Sequence, residues 1–291
     1  MKVKFDGCTI ALTAIAFPGG ERHVRLEDLD DYFVGLERFQ DSANVDHVEV
    51  LMDFRGSDDI VDLMLVTDAI RRLPFITKNT VHTLIMPYMP FARQDRAAEV
   101  GEAHSAKVMG TVLNLLAYDN VVIGDAHSDV TGAVVNNVRL VSQAKLVNRH
   151  LGGEIVAAGW VLCAPDTGAT KKVDQLAQML KVVDVVQGVK HRDTLTGKLT
   201  GFDCYGDVAG KKVMIVDDIC DGGGTFLGLA QVLREKGATK VGLFVTHGIF
   251  SKGLEVFDGL IDQLYTVNVW SKNAVATPTN NLTVFKDKDF Y

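Results

Sequence analysis

Residues 213 to 226 read Val-Met-Ile-Val-Asp-Asp-Ile-Cys-Asp-Gly-Gly-Gly-Thr-Phe. Four apolar residues predict a buried strand, Asp217 and Asp218 stand where it should end, and three glycines lead to Thr225 at the start of a helix. Glycines let backbone N–H groups approach an anion closely, and a helix N-terminus adds unpaired donors and partial positive charge. The turn Asp221-Gly222-Gly223-Gly224-Thr225 therefore suits a phosphate. Adjacent carboxylates do not; they suit the vicinal hydroxyls of a ribose, or a Mg²⁺ that bridges to them. A lone Gly-rich turn with solvated acids would be a structural feature, but the double Asp directly ahead of three glycines favours a phosphate–sugar site.

Other polar groups follow apolar runs: Asp125 after Val-Val-Ile-Gly, Asp166 after Val-Leu-Cys-Ala-Pro, and Arg93-Gln94-Asp95-Arg96 downstream of Thr83–Met86. Each has a bland reading: His127 as a hydrogen-bonded structural histidine, Asp166 as a helix cap, the Arg/Gln/Asp run as a charged loop, Lys190-His191-Arg192 as a solvated hairpin. Formal net charge is −7, which argues against a general nucleic-acid or acidic-membrane binder. An anionic substrate has to be recruited locally, by Arg93, Arg96, Lys171, Lys172, Lys190, Arg192 or the glycine-rich amides.

The elements that position these groups alternate. Strands are expected at 47–52, 83–86, 121–124, 160–164, 182–187, 212–216 and 240–246. Helices are expected at 59–73, from an N-cap at Ser105 to about Tyr118, from Gln143 to a stop at Gly152-Gly153, and at 170–181 and 225–236. That alternation means βαβ units and parallel sheet, in which ligands bind beyond the carboxyl ends of strands. With 291 residues, two domains are the natural division, set softly at 1–145 and 146–291. No apolar run approaches the roughly 20 residues of a membrane span. Four scattered cysteines without zinc spacing point to a reduced, cytoplasmic setting.

The 213–226 segment resembles the PRPP-binding loop of the phosphoribosyltransferase fold, and its Asp-Asp-Ile-x-Asp form is similar to that of the ribose-phosphate diphosphokinases, or PRPP synthetases. Phe17-Pro-Gly-Gly-Glu21, Pro87-Tyr-Met-Pro-Phe-Ala-Arg-Gln-Asp-Arg96, Gly124-Asp-Ala-His127, Ala164-Pro-Asp-Thr-Gly-Ala169, Lys190-His-Arg192 and Thr246-His-Gly-Ile-Phe-Ser251 fall into that family's order. The resemblance implies two doubly wound phosphoribosyltransferase-like α/β domains and a Mg²⁺-dependent enzyme moving the β,γ-diphosphate of ATP to the C1 hydroxyl of a ribose. It assigns ATP to Arg93, Gln94 and Asp95, and the adenine of a neighbouring subunit to Phe17 and Glu21. Mg²⁺ goes to His127 and Asp166, with His127 also at the ATP phosphates. The ribose goes to Asp217 and Asp218, and the 5′-phosphate to Asp221, Gly222, Gly223, Gly224 and Thr225. Lys190 and Arg192 become cations of a mobile catalytic flap, and Thr246-His247 a structural support. A homo-oligomer is implied.

Two departures stand out. The family's loop reads Asp-Thr-x-Gly-Thr, whereas position 222 here is Gly and lacks that hydroxyl. A hydrogen bond to a charged group is worth about 1.5–3 kcal/mol, so either the acceptor remains ribose 5-phosphate with another donor compensating, or the space admits a 5′-diphosphate ester such as ADP-ribose. After Val269-Trp270 no final amphipathic helix is evident, which leaves the family's mode of assembly and regulation open. Competing readings are a PRPP-consuming phosphoribosyltransferase and a non-catalytic regulatory subunit.

Overall fold

Strands rich in Val, Ile and Leu, flanked by helices with one apolar face, give this chain two layered α/β units, Met1–Val141 with Phe290, and Ser142–Asp289. The structure is a computed structural model that describes residues 1–29, 32, 44–192, 199–270 and 281–290.

In the first unit the strands are β1 (Lys2–Phe5), β2 (Cys8–Ala16), β3 (Arg22–Glu27), β4 (His47–Leu51), β5 (Val81–Met86), β6 (Asn120–Gly124) and β7 (Val138–Val141). Their order is β3-β2-β1-β4-β5-β6-β7. β4 to β7 are parallel, while β1 runs antiparallel to both β2 and β4, so the sheet carries an antiparallel edge. Helices α1 (Asp58–Arg71), α2 (Ser105–Leu115) and the short α3 (Val130–Val134) connect the parallel strands. α1 buries Leu63, Val66 and Ile70 at helical spacing against Val48, Val50 and Leu84. Asp62 on the same helix is buried and takes Arg22, the residue of β3 next to the β2–β3 turn, with Nε donating at 2.8 Å.

The second unit repeats the plan with β8 (Trp160–Ala164), β9 (Val185–Arg192), β10 (Leu199–Tyr205), β11 (Lys212–Cys220), β12 (Lys240–Gly248), β13 (Gln263–Val269) and β14 (Leu282–Val284). The order is β10-β9-β8-β11-β12-β13-β14, parallel except for the β9–β10 hairpin. Helices α4 (Gln143–Ala158), α5 (Thr170–Leu180) and α6 (Gly224–Glu235) accompany it. Val213, Ile215, Leu229, Leu233, Val241 and Leu243 form its core. The C-terminal stretch is held by one carboxylate. Fully buried Asp287 accepts from Arg149 Nη1 at 2.5 and 2.6 Å and pairs with His150 Nε2 at 2.8 Å. Burial pushes that carboxyl up, but these bonds and the Asp289 amide bring it below its ordinary value.

Several expectations are corrected. α4 does not stop at Gly152-Gly153 but runs to Ala158 and is capped by Gly159, whose φ of 66° is left-handed. A Cβ at Gly152 would lie 2.6 Å from Asn148 Oδ1 and 3.0 Å from Leu180 Cδ2, so this glycine serves packing against α5. Ser105 is the first residue of α2 and not its cap, a position held by His104. β9 begins at Val185 and continues through Arg192, so Lys190 to Arg192 lie in a hairpin strand, with the connection 193–198 outside the described residues. No helix among the described residues is long and apolar enough to cross a membrane.

The two glycines of α4 should respond oppositely to alanine. Gly153→Ala meets nothing within 4 Å and should stabilise the protein by about 0.5–1 kcal/mol. Gly152→Ala should destabilise it by about 1 kcal/mol or more through overpacking. Chemical denaturation midpoints decide this, and a helix ending at Gly152 would make the two substitutions equivalent.

Candidate active site

In the first unit the segment after β5 turns sharply, with Phe91 at a φ of 61° and Gln94 N donating to Phe91 O at 3.0 Å. Gln94 O then accepts from Ala106 N at 3.1 Å, which fixes the segment to the first turn of α2. Across from it β6 ends at Gly124, where a Cβ would lie 2.6 Å from Pro87 O. That close backbone approach lets His127 share a cleft of about 570 Å³ with Arg93, Gln94, Asp95, Arg96 and Ser105. Glu102, also lining the cleft, accepts from the amides of Ala98 and Glu99 at 2.8 and 3.2 Å and so shapes its rim. The cleft can hold an anion between arginines and imidazole, with amide and hydroxyl groups for orientation.

Phe17 and Glu21 do not line that cleft. They close the β2–β3 hairpin, where Phe17 N donates to Glu21 O at 2.8 Å and Gly20 N to Phe17 O at 2.9 Å. Both are exposed, Phe17 at 47%. An aromatic ring displayed on a hairpin tip is a group presented outward.

In the second unit Asp166 follows β8 and works in two directions. Its Oδ1 accepts from Gly168 N at 3.0 Å and Ala169 N at 3.3 Å, setting the turn into α5, while Oδ2 accepts from Lys190 Nζ at 2.7 Å. Lys190 reaches it because β9 passes tightly beside the end of β8: a Cβ at Gly188 would lie 2.7 Å from Pro165 O. Gln187 adds a brace, accepting from Thr170 Oγ1 at 2.7 Å. Arg192 ends β9, with its backbone opposite Leu199 in β10.

Asp217 and Asp218 do not sit past a strand end, since β11 keeps its parallel pairing with β12 as far as Cys220. Asp218 is buried, with Lys172 Nζ 3.8 Å from its Oδ2. Burial above all, then the charges of Asp218 and Asp166, hold the Asp217 carboxyl well above the usual carboxylate range, against the opposing pull of the Asp218 amide at 2.9 Å. Asp221 and Gly222 then lead to Gly223, which caps α6 at a φ of 77° without a side-chain bond. A Cβ on Gly223 would lie 2.7 Å from the Phe257 ring. Gly224 and Thr225 open α6, where first-turn amides have no intrahelical acceptor. His247 is buried in β12 and Thr246 O accepts from Thr266 Oγ1 at 3.3 Å, so this pair belongs to the sheet interior.

A divalent cation suits the second unit's donor chemistry. Asp166, Asp217 and Asp218 supply hard oxygens whose crowding a cation relieves, and Mg²⁺ needs only one or two carboxylates with substrate phosphates. No protein-only cage of three His, Cys, Asp or Glu occurs among the described residues. Lys172, Gln187 and Gly188 were not singled out for these roles by sequence; Lys172 appeared only as one of several cations, and nothing in the sequence pairs it with Asp218.

Two α/β units, each a parallel sheet with an edge hairpin and polar groups at strand ends, define a doubled phosphoribosyltransferase-type protein. A crystal structure of phosphoribosylpyrophosphate synthetase from Mycobacterium smegmatis has the same fold, with a TM-score of 0.77 at 24% identity over 97% of this chain and 87% of that one. A family model described as the phosphoribosyl synthetase-associated domain matches residues 184–277. The ribose-phosphate pyrophosphokinase of Thermococcus kodakarensis is 30% identical over 276 residues, 92% of this chain and 87% of the relative. That of Mycoplasmopsis pulmonis is 28% identical over 216 residues, and the match spans 73% of this chain and 65% of the relative. The chain belongs to the ribose-phosphate pyrophosphokinase family, a family of diphosphotransferases.

The crowded carboxylates make a testable cost. A carboxyl whose pKa rises on folding loses stability for the protein as pH climbs above the unfolded value of about 3.9. Asp217→Asn should therefore melt higher than the parent at pH 7 in divalent-free buffer, and the gap should close as pH falls toward about 4. A variant that melts lower at pH 7 would show that the carboxylate is well accommodated.

Proposed function

We propose that the chain transfers the β,γ-diphosphate of ATP to the C1 hydroxyl of a 5-phosphorylated ribose, giving AMP and, from ribose 5-phosphate, PRPP. The observation that carries the reading is the grouping in the second unit of Asp166, Lys190, Asp217, Asp218 and the glycine turn into α6 at one end of parallel strands. The hydroxyl oxygen bonds to the β-phosphorus, the bond from that phosphorus to the α–β bridging oxygen breaks, and AMP leaves with the bridging oxygen. The hydroxyl proton passes to the medium, as no side chain stands out as its base.

Arg93, Gln94, Asp95 and His127 hold ATP in the first unit's cleft. Asp217 and Asp218 accept from the ribose hydroxyls, and Asp221 to Thr225 enclose the 5′-phosphate. Lys190, with Arg192, meets the charge that develops on the bridging oxygen. Asp166 in the second unit and His127 in the first are each residues that would ligate Mg²⁺, which would supply neutralisation of phosphate charge. Phe17 and Glu21, displayed on their hairpin, serve the adenine of a neighbouring copy, which makes the working form a homo-oligomer. The unpaired cysteines suit a reducing cytoplasm.

A second acceptor class, ribose carrying a 5′-diphosphate ester such as ADP-ribose, has one observation in its favour. Position 222 has no side chain, and what covers it is a lysine stem that can move aside. Incubation with ATP, Mg²⁺ and either ribose 5-phosphate or ADP-ribose tests both. AMP release with one acceptor supports the function and names the substrate; ADP release would mean an ordinary kinase. Lys190→Ala should lower kcat by about 10²–10³-fold and leave acceptor KM nearly unchanged, as loss of a transition-state contact does. A rise in KM with intact kcat would make Lys190 a ground-state binding residue.

A further inference from the structure

The missing hydroxyl at position 222 has a structural counterpart. A Cβ built on Gly222 would meet the stem of Lys252, with Cδ and Cε at 3.3 Å and Cγ at 3.5 Å. The face of the turn that a side chain would occupy is therefore covered by a lysine from the segment just beyond β12. Lys252 is exposed, and its ammonium makes no hydrogen bond or ion pair among the described residues.

The segment that carries Lys252 is fastened to the turn itself. Ile249 N and Phe250 N both donate to Cys220 O, at 2.8 and 3.2 Å, and Ser251 N donates to Asp221 O at 3.2 Å. Phe250 takes a left-handed φ of 48° and buries its ring edge-on to Phe257, 5.9 Å between centroids. Phe257 is the ring that backs Gly223. Lys252 and the glycine turn thus share one support, and the lysine's place beside Gly222 is set by backbone.

We propose that Lys252 binds the 5′-phosphoryl group of the acceptor, in place of the hydroxyl that position 222 lacks. The inference rests on the function proposed above and names the residue that recognises the acceptor's anionic end. An ammonium offers three donors and a full charge where a hydroxyl offers one donor, and charge-assisted bonds to phosphate are the stronger kind. Gly222 is part of the same exchange, because any side chain there would press on the lysine stem. An exposed lysine is ordinarily only solvated. This one lies across an anion-type turn, its stem over the face of Gly222. The stem's length also lets the ammonium meet either a phosphomonoester or the nearer phosphoryl of a diphosphate ester.

The test separates this inference from the function on which it rests. Binding of ribose 5-phosphate and of ADP-ribose to the full chain is measured by calorimetry without ATP, beside AMP release with ATP and Mg²⁺. Lys252→Ala should weaken binding and raise KM for the acceptor by about 10- to 100-fold, the span of a hydrogen bond to a charged group. KM for ATP and kcat should stay within about twofold, as expected for uniform ground-state binding. Lys252→Arg should keep most of the affinity, and the pair Gly222→Thr with Lys252→Ala should regain part of what Lys252→Ala loses for ribose 5-phosphate. Unchanged acceptor affinity in Lys252→Ala, with the parent binding acceptor, overturns the inference whether or not AMP is released. A parent that binds acceptor but releases no AMP overturns the function alone, and one that binds neither acceptor overturns both. Melting temperature equal to the parent's confirms that an exposed side chain was removed without harm to the fold.

Discussion

Three carboxylates crowded together, Asp166 just past β8 and Asp217 and Asp218 within the C-terminal half of β11, are the constraint that organises the second unit. Parallel pairing places the end of β8, with Asp166, beside β11, with Asp217 and Asp218. Burial first, and then this repulsion, make Asp217 hold its proton more tightly than a free carboxyl, and the Asp218 amide offsets only part of that. Relief has to come from elements adjacent in the sheet order. Lys190 arrives from β9, on the other side of β8, and Lys172 from α5, the helix whose entry turn Asp166 sets. The topology therefore decides which cations can answer, and it leaves a residual negative field in which a divalent ion or sugar hydroxyls are welcome.

The glycines follow from the same geometry. Gly188 lets β9 approach the Pro165 carbonyl, and without that approach Lys190 would stand too far from Asp166 for a 2.7 Å bond. Gly223 combines a left-handed φ with contact against Phe257, so it is required both by backbone conformation and by space. Gly124 performs the corresponding service in the first unit, where Pro87 O would otherwise collide with the strand that leads to His127. At Gly188 and Gly124 close approach of backbones brings a polar side chain to a strand end.

Much of this architecture was legible from residue order, because buried parallel strands are nearly continuous apolar runs: 160–164 was read to the residue as β8. The 213–226 segment was legible because strand, carboxylates, glycines and helix start stand in one uninterrupted stretch. What escaped, the parallel strands β7 and β13 among it, has several causes. The hairpin strands β2, β3 and β10 mix polar residues among their apolar ones, so their periodicity is weak. β11 outlasts its apolar run because pairing with β12 continues through Asp217 and Asp218, a tertiary effect that hydropathy does not register. Gly152-Gly153 looked like a stop, although helix packing against Leu180 gives one of the pair a different purpose. Lys172, Gln187 and Lys252 act across gaps in sequence with no local pattern.

The Gly222–Lys252 pair shows why a motif read alone can mislead in either direction. A lost hydroxyl at 222 looks like a weakened phosphate site, or like new space for a larger ester. The site is neither empty nor unaltered, since the space beside one residue is taken by the stem of another thirty positions on. Backbone bonds from Ile249, Phe250 and Ser251 to Cys220 and Asp221 keep the two segments together, so substitutions on either side are felt by both. What such a site has to keep is donor capacity and charge at a fixed place. The backbone that carries the donor can change, provided the support beneath it, here Phe250 and Phe257, stays in position.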